Sequence, residues 1–375
     1  MAFNGLAIYG TNVFQSLAED VSEEVGMISP SETPFLDILT PPMREGFNVL
    51  HEWLEDSLAP QSITASTAIS STTADTQIGI ANGDAERLFV GQLLIHPDGQ
   101  EYMRISVISG NTITVERAFG GTSANSWGTG GVFTVLADAA LEGDDVDEDI
   151  GIGRVRRSNY MQIFKKDVIV SGSRQAVRNL GGIADELAYQ RTKRLREAVV
   201  GLEKAVVLSI LSGNTIGSSS AVRTMRGVRS FLSTNIHSIA VLSDTLIANV
   251  VESAWTQGGN DIDVLVVDTI HKRKIDSLQG SRVRVTNQEG TFRNVVDTYE
   301  GTYGTQRVVM SRWMPASSLF AISTNRIHVV PLQGRTFQFQ PVSKTGDAEK
   351  GMIIGEYTVE LYNEEGMARA SITGT

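Results

Sequence analysis

One long helical pattern constrains this chain more than any other feature. In residues 181–213, GGIADELAYQRTKRLREAVVGLEKAVVLSILSG, the side chains Ile183, Leu187, Leu195, Val199, Leu202, Val206 and Ile210 recur at helical spacing. Asp185 and Glu186 fall in the first turn, where negative charge favours a helix N-terminus, and Gly213 can close the other end. About 30 residues at 1.5 Å each give a rod of roughly 45 Å. A helix this long with a single apolar stripe reads as a structural spine.

The segments around it are short. Residues 1–45 read as an extended arm: a polar helix, FQSLAEDVSEEVG, then ISPSETPFLDIL, then a Pro-Pro break. Thr33 can cap the second helix, Pro34 fits its first turn, and Phe35, Leu36, Ile38 and Leu39 give it an apolar face. Helices so short draw their stability from docking on something else. FNVLHEWLEDSLAP (47–60) reads as a strand, and SITASTAISSTTADT as a Ser/Thr/Ala linker. Alternating strands are then predicted at 76–81, 92–96, 101–109, 112–119 and 132–137, with turns at Pro97-Asp98-Gly99 and Gly110-Asn111. That spacing describes a small antiparallel barrel or sandwich of about 75 residues, inserted into a longer element.

Beyond it, 155–173 is a long strand pattern. After the spine and a Gly/Ser/Thr stretch, helices at 243–257 and 269–279 alternate with strands at 262–268, RVRVT, NVVDTYE and RVVMS, an α/β layer. GRTFQFQPV, GMIIGEYTVELYNEEG and MARASIT form a β tail.

Composition narrows the function. At 375 residues and 41% apolar the chain can bury two or three cores. AVVLSIL (205–211) falls far short of the roughly 18 apolar residues of a membrane span. The N-terminus lacks the pattern of a secretory signal, and the absence of cysteine rules out disulfide and thiolate chemistry and suits a reducing cytosol. A net charge of -11 argues against nucleic acid as the main partner. The charge is uneven, however. EGDDVDED (142–149) carries six carboxylates and no base, while Arg154 to Lys204 holds twelve Lys/Arg against five Asp/Glu. The juxtaposition is either two solvated faces or an intersubunit contact, one copy's acidic segment meeting another's basic strand.

No catalytic signature emerges. The histidines at 51, 96, 237, 271 and 328 lack the spacing of a zinc helix. Asp145, Asp147 and Asp149 open like a calcium loop, but Ile150 stands where Gly belongs and Arg156 where Glu belongs. GIGRVR lacks the third glycine of a dinucleotide fingerprint, and there is neither a phosphate loop nor a GxSxG elbow. No cofactor and no enzyme is expected.

Taken in order, ISPSETPFLDIL, HEWLEDSLA, LEGDDVDEDIGIGRVRRSNYMQIFKKDVIVSGS, the spine through RTMRGVRSFLSTN, NVVDTYEGTYGTQRVVMSRWMP and KTGDAEKGMIIGEYTVELYNEEGMARASI resemble the major capsid proteins of tailed bacteriophages, most nearly the podophage SU-ten type. The resemblance covers most of the chain outside 61–139. It implies an α+β, Hong Kong 97-like capsid fold. Residues 1–45 would be the N-terminal arm, 46–173 the extended loop carrying the inserted β domain at 61–139, and 174–221 the spine of the peripheral domain. Residues 222–332 would be the axial domain and 333–375 the peripheral β-sheet.

It further implies a head protein of the virion, made and assembled in the host cytoplasm, whose main partner is itself in hexamers and pentamers of an icosahedral shell. Portal, scaffolding or cement proteins would be further partners, and packaged DNA would be met only non-specifically. The β insert would decorate or clamp capsomers. An encapsulin-like compartment or a tail component is the competing assembly, and an α/β enzyme with a β accessory module the competing class. Candidate intersubunit residues are Phe35, Leu36 and Leu39 of the arm, Glu52 and Trp53, the acidic Glu142, Asp144, Asp145 and Asp147, and the basic Arg154, Arg156, Arg157, Lys165 and Lys166.

Overall fold

A computed structural model describes residues 32–39, 45–58, 61–81, 84–138, 142, 154–177, 185–210, 215–259, 261–279, 298–344 and 346–374. The chain opens with helix α1 (Pro34–Ile38) and strand β1 (Leu50–Glu55). Six strands follow: β2 (Ser62–Thr64), β3 (Gln77–Gly79), β4 (Gln92–Ile95), β5 (Tyr102–Ser109), β6 (Thr112–Glu116) and β7 (Val132–Asp138). Next come β8 (Val155–Tyr160), β9 (Gln162–Ser171), α2 (Gly172–Ala176), the spine α3 (Glu186–Leu208), α4 (Val228–Phe231) and β10 (Ile236–Ile239). Helices α5 (Asp244–Thr256) and α6 (Thr269–Gln279) bracket β11 (Val264–Val267). The chain ends with β12 (Thr298–Gly301), β13 (Gly304–Met310), β14 (Ser318–Ile322), β15 (Ile327–Pro331), β16 (Gln338–Val342), β17 (Ala348–Leu361) and β18 (Ala368–Ile372). Contacts divide it into two units: Leu54–Arg156, and Met1–Trp53 with Arg157–Thr375.

The larger unit is organised by a six-stranded sheet in the order β10-β18-β14-β11-β13-β12. Every residue of β11 and β14 is buried, because both faces of the sheet are covered. Alternation along the strands sends Val264, Val266, Phe320 and Ile322 to one core with Leu202, Val206 and Val207 of the spine. It sends Leu265, Val267, Leu319 and Ala321 to a second core with Ile247, Val250, Val251 and Ala254 of α5 and Ile275 of α6.

A second sheet is built on the 14-residue strand β17. It pairs antiparallel with β15 and β16 along one edge and with all of β9 along the other. The spine packs on β9 and β17.

The spine differs from its expected form. It runs for 23 residues, about 34 Å, with Asp185 as the N-cap rather than a first-turn residue. The Asp185 carboxylate accepts the N–H groups of Leu187 (2.8 Å) and Ala188 (3.2 Å). Ile183 and Gly213 lie outside the described residues. The deeply buried positions are Ala198, Leu202, Glu203, Val206 and Val207, all in the C-terminal half, and Leu195 is 40% exposed.

The sheets also do not part at residue 332. Strand β15 already belongs with β17, and β18 leaves the tail to lie between β10 and β14. There the buried Ala368, Ala370 and Ile372 face the core under α5. The helix at 269–279 has the expected bounds. RVRVT (282–286) and the polar helix at 14–26 fall outside the described residues.

The unit Leu54–Arg156 is an antiparallel six-stranded sheet ordered β2-β7-β4-β5-β6-β3. Its two outer strands meet through the Ala65–Ile80 bridge, with Ser66 N–H bonded to the Gly79 carbonyl and Ala81 N–H to that of Thr64. The expected linker is therefore part of the sheet. Ile63, Ala65 and Ile69 from it are buried with Ile78, Leu94, Met103, Ile105, Ile113, Trp127 and Phe133. Gly110, with φ of +56°, turns β5 into β6 as its sequence predicts.

One ion pair fixes the loops of this unit. Arg117 and Glu101 are both buried and meet through Nε–Oε1 (2.6 Å) and Nη2–Oε2 (2.8 Å). The guanidinium also donates to the carbonyls of Ser70, Asp75 and Asn125 and stacks 5.0 Å from the Trp127 ring centre.

Candidate assembly surface

The arm helix α1 is where the sequence and the packing disagree most usefully. Thr33 occupies the N-cap position, yet its hydroxyl makes no capping bond. The cap comes from 168 residues away. Glu203 of the spine accepts the N–H of Phe35 on Oε1 (2.9 Å) and that of Leu36 on Oε2 (2.8 Å). A five-residue helix exposes orphan N–H groups at its start, and a carboxylate there satisfies them with favourable charge.

Burial pushes the Glu203 carboxyl up. The two arm N–H groups and the Ser311 hydroxyl pull it down, Asp37 pushes it up again, and the outcome lies above the ordinary glutamate value. Further contacts hold the same segment. Trp313 Nε1 donates to the Glu32 carbonyl (3.0 Å), and the Lys204 ammonium sits 4.0 Å from the Trp313 ring centre.

This placement changes the meaning of the arm candidates. Phe35 is fully buried and Leu39 nearly so, both in the core of their own chain, with half-buried Leu36 packed against it. Trp53 is likewise internal, against Phe231 (centroids 5.8 Å apart) and Tyr362 (6.5 Å), next to His51, whose Nε2 lies 3.1 Å from Glu360. Phe35 and Trp53 are thus both buried within their own chain.

The charged candidates do reach solvent. Glu52, Glu142, Arg154, Arg156, Arg157, Lys165 and Lys166 are all exposed. Arg154 lies 3.6 Å from Asp56 and Lys165 3.2 Å from Asp167, both exposed pairs of small energetic weight. Asp144, Asp145 and Asp147 lie outside the described residues.

Glu203 was missed by sequence reasoning, which counted Leu202 and Val206 as apolar stripe and passed over the carboxylate beside them. An acidic residue at a core-facing helical position is itself the signal.

Among the described residues no group of three His, Asp or Glu could hold a metal ion. His237 Nε2 lies 2.7 Å from the Ser253 hydroxyl, which donates to the Val250 carbonyl (2.8 Å). No described helix is long and apolar enough to cross a membrane.

Solved structures share this fold over nearly the whole chain. The chain is similar to that of Microbacterium phage Oxtober96, with 11% identity, 96% of each chain covered and a TM-score of 0.52. It is equally similar to the capsid of an empty GTA particle, with 8% identity, 96% of each chain covered and a TM-score of 0.52. At such identities the likeness speaks for the fold alone: a mixed, strand-dominated α/β chain matching Hong Kong 97-like capsids.

The encapsulin complex of Synechococcus elongatus matches over 58% of this chain and 77% of its own at 7% identity, and its TM-score of 0.43 is too low to argue from. No curated protein matches the sequence. The family profile described as SU10 major capsid protein matches residues 7–374, nearly the whole chain, and the chain belongs to that family.

Proposed function

We propose that this major capsid protein closes into hexamers and pentamers of an icosahedral shell around the double-stranded DNA of a tailed phage. The observation that carries the reading is the family match over residues 7–374. A shell subunit needs multivalent, heterologous contacts that close, and no reaction centre.

In this reading residues 1–45 are the arm, 46–173 the extended loop, and the axial domain of 222–332 gives up β15 to the β17 sheet and takes in β18. The unit built from β2 to β7 is an inserted barrel that decorates or clamps capsomers. Portal, scaffolding or cement proteins join the shell in the host cytoplasm. The exposed Arg154, Arg156, Arg157, Lys165 and Lys166 face the acidic run 142–149 of a neighbour, and Glu52 is a further contact residue. The packed genome is met without sequence readout, which an acidic chain suits.

Negative-stain microscopy of the expressed full-length protein tests this directly. Closed shells are expected. Tubes, copurified cargo or discrete small particles would overturn it. Deleting 62–138 should leave a folded chain whose shells misassemble, and a monomer that no longer folds would contradict the insert assignment. Replacing Asp144, Asp145 and Asp147 with Asn should weaken assembly in a salt-sensitive way.

A further inference from the structure

Four arginines from three segments of the chain gather around the short helix α4. Asn159 of β8 is the tie. Its Nδ2 donates to the carbonyls of Arg226 (3.1 Å) and Val359 (2.9 Å), and its Oδ1 accepts the Arg226 N–H (2.8 Å). Arg226 is thereby fixed beside β8, which carries the exposed Arg157 two residues earlier. The Arg226 guanidinium lies over the Phe231 ring (4.3 Å) and donates to Ser230 Oγ (3.1 Å) and the Ser230 carbonyl (3.0 Å). Arg369 of β18 reaches the same helix end, its Nε donating to the Leu232 carbonyl (2.7 Å). Arg229 lies on α4 between them, half-buried and donating to nothing among the described residues.

Like charges held this closely oppose one another. Burial and the charge of Arg157 push the Arg226 guanidinium down, and burial and Arg229 do the same to Arg369. The nearby carboxylate, Glu364, pulls both guanidiniums back up, but it is one negative charge beside four arginines. Its two oxygens accept from the N–H and hydroxyl of Ser233 (3.0 Å each) and from those of Thr234 (3.3 and 2.5 Å). The fold thus concentrates positive charge, anchors two of the guanidiniums by their Nε edge, and leaves both Nη groups of Arg369 free of hydrogen bonds among the described residues.

We propose that Arg157, Arg226, Arg229 and Arg369 form a receiving site for the acidic run 142–149 of a second copy. The planar guanidinium matches a carboxylate through paired N–H bonds. The chain itself supplies the complement: six carboxylates in eight residues, within a net charge of -11. That overall charge disfavours the alternative occupant, a nucleic-acid phosphate. The proposal rests on the shell-forming reading and moves the centre of the acid–base contact from Lys165 and Lys166 to the end of α4.

The test uses the full chain and reads the assembled fraction by sedimentation over a salt series. Arg229→Glu should cut assembly at low salt by about tenfold, Arg229→Lys should not, and Arg229→Glu with Asp145→Arg should recover much of the loss. Combining Arg229→Gln with Asp144, Asp145 and Asp147→Asn should be no worse than either change alone, which keeps the test valid if Arg229→Glu folds poorly. Fully additive losses, or Arg229→Glu assembling as the wild type does, would overturn the site alone. Arg229→Glu particles that form normally but lose copurifying nucleic acid would assign it to phosphate instead. Wild-type protein that forms no particles would overturn the shell reading and the site with it.

Discussion

Glu101 in the small β unit and Glu203 in the spine are both completely buried, yet the chain holds them in opposite ways. Burial raises the Glu101 carboxyl, but the hydrogen bonds from Arg117, the N–H groups of Asn125 and Ala118 and the guanidinium charge outweigh it, so it lies below the ordinary value of 4.5. Glu203 has arm N–H groups in place of a cation, and burial wins. A bidentate ion pair makes a permanent staple inside the β unit. A carboxylate balanced on backbone dipoles makes a latch for the arm, weaker and sensitive to its own ionisation.

Removing the staple should have the largest effect. Arg117→Ala strands the Glu101 charge and frees the carbonyls of Ser70, Asp75 and Asn125. A loss of about 3–5 kcal/mol is expected, read as early melting of the β unit by hydrogen exchange. Glu203→Ala should cost about 2–4 kcal/mol and release the arm, seen as faster exchange at Phe35 and Leu36, while Glu203→Gln should cost about 1 kcal/mol.

The two sites also predict opposite pH slopes. The Glu101 contribution is full above its unfolded value and is lost as pH falls through the lower folded one. The Glu203 contribution is full below its unfolded value and is lost as pH rises through the higher folded one. Urea melts from about pH 2 to 7 should show Glu203→Gln flattening the upward-pH loss and Glu101→Gln flattening the acid loss.

Trp313→Phe removes the bond to the Glu32 carbonyl but keeps a ring for Lys204, so about 1 kcal/mol is expected, confined to the arm. Lys165→Ala, in an exposed pair, should change monomer stability by less than about 0.5 kcal/mol.

This contrast was only half legible in the sequence. Helices α5 and α6 and the strand between them could be read because caps and apolar runs mark them locally. Strand β2 was hidden in a Ser/Thr/Ala stretch, where only Ile63 and Ile69 signal burial. The switch of β18 into the first sheet depends on which core accepts Ala368 and Ala370, and small residues fit either. The arm latch was illegible for a different reason: its cap lies 168 residues from the helix it serves, and no local pattern can report that. Arg157 and Arg369, which join Arg226 and Arg229 at α4, share the same non-local origin.

The opposed states of the two carboxyls can be measured directly. Selectively carbon-13-labelled glutamate carboxyls, assigned with Glu101→Gln and Glu203→Gln, should titrate in the folded protein with Glu101 below 4.5 and Glu203 above it. Both carboxyls shifting in the same direction would contradict the distinction between staple and latch.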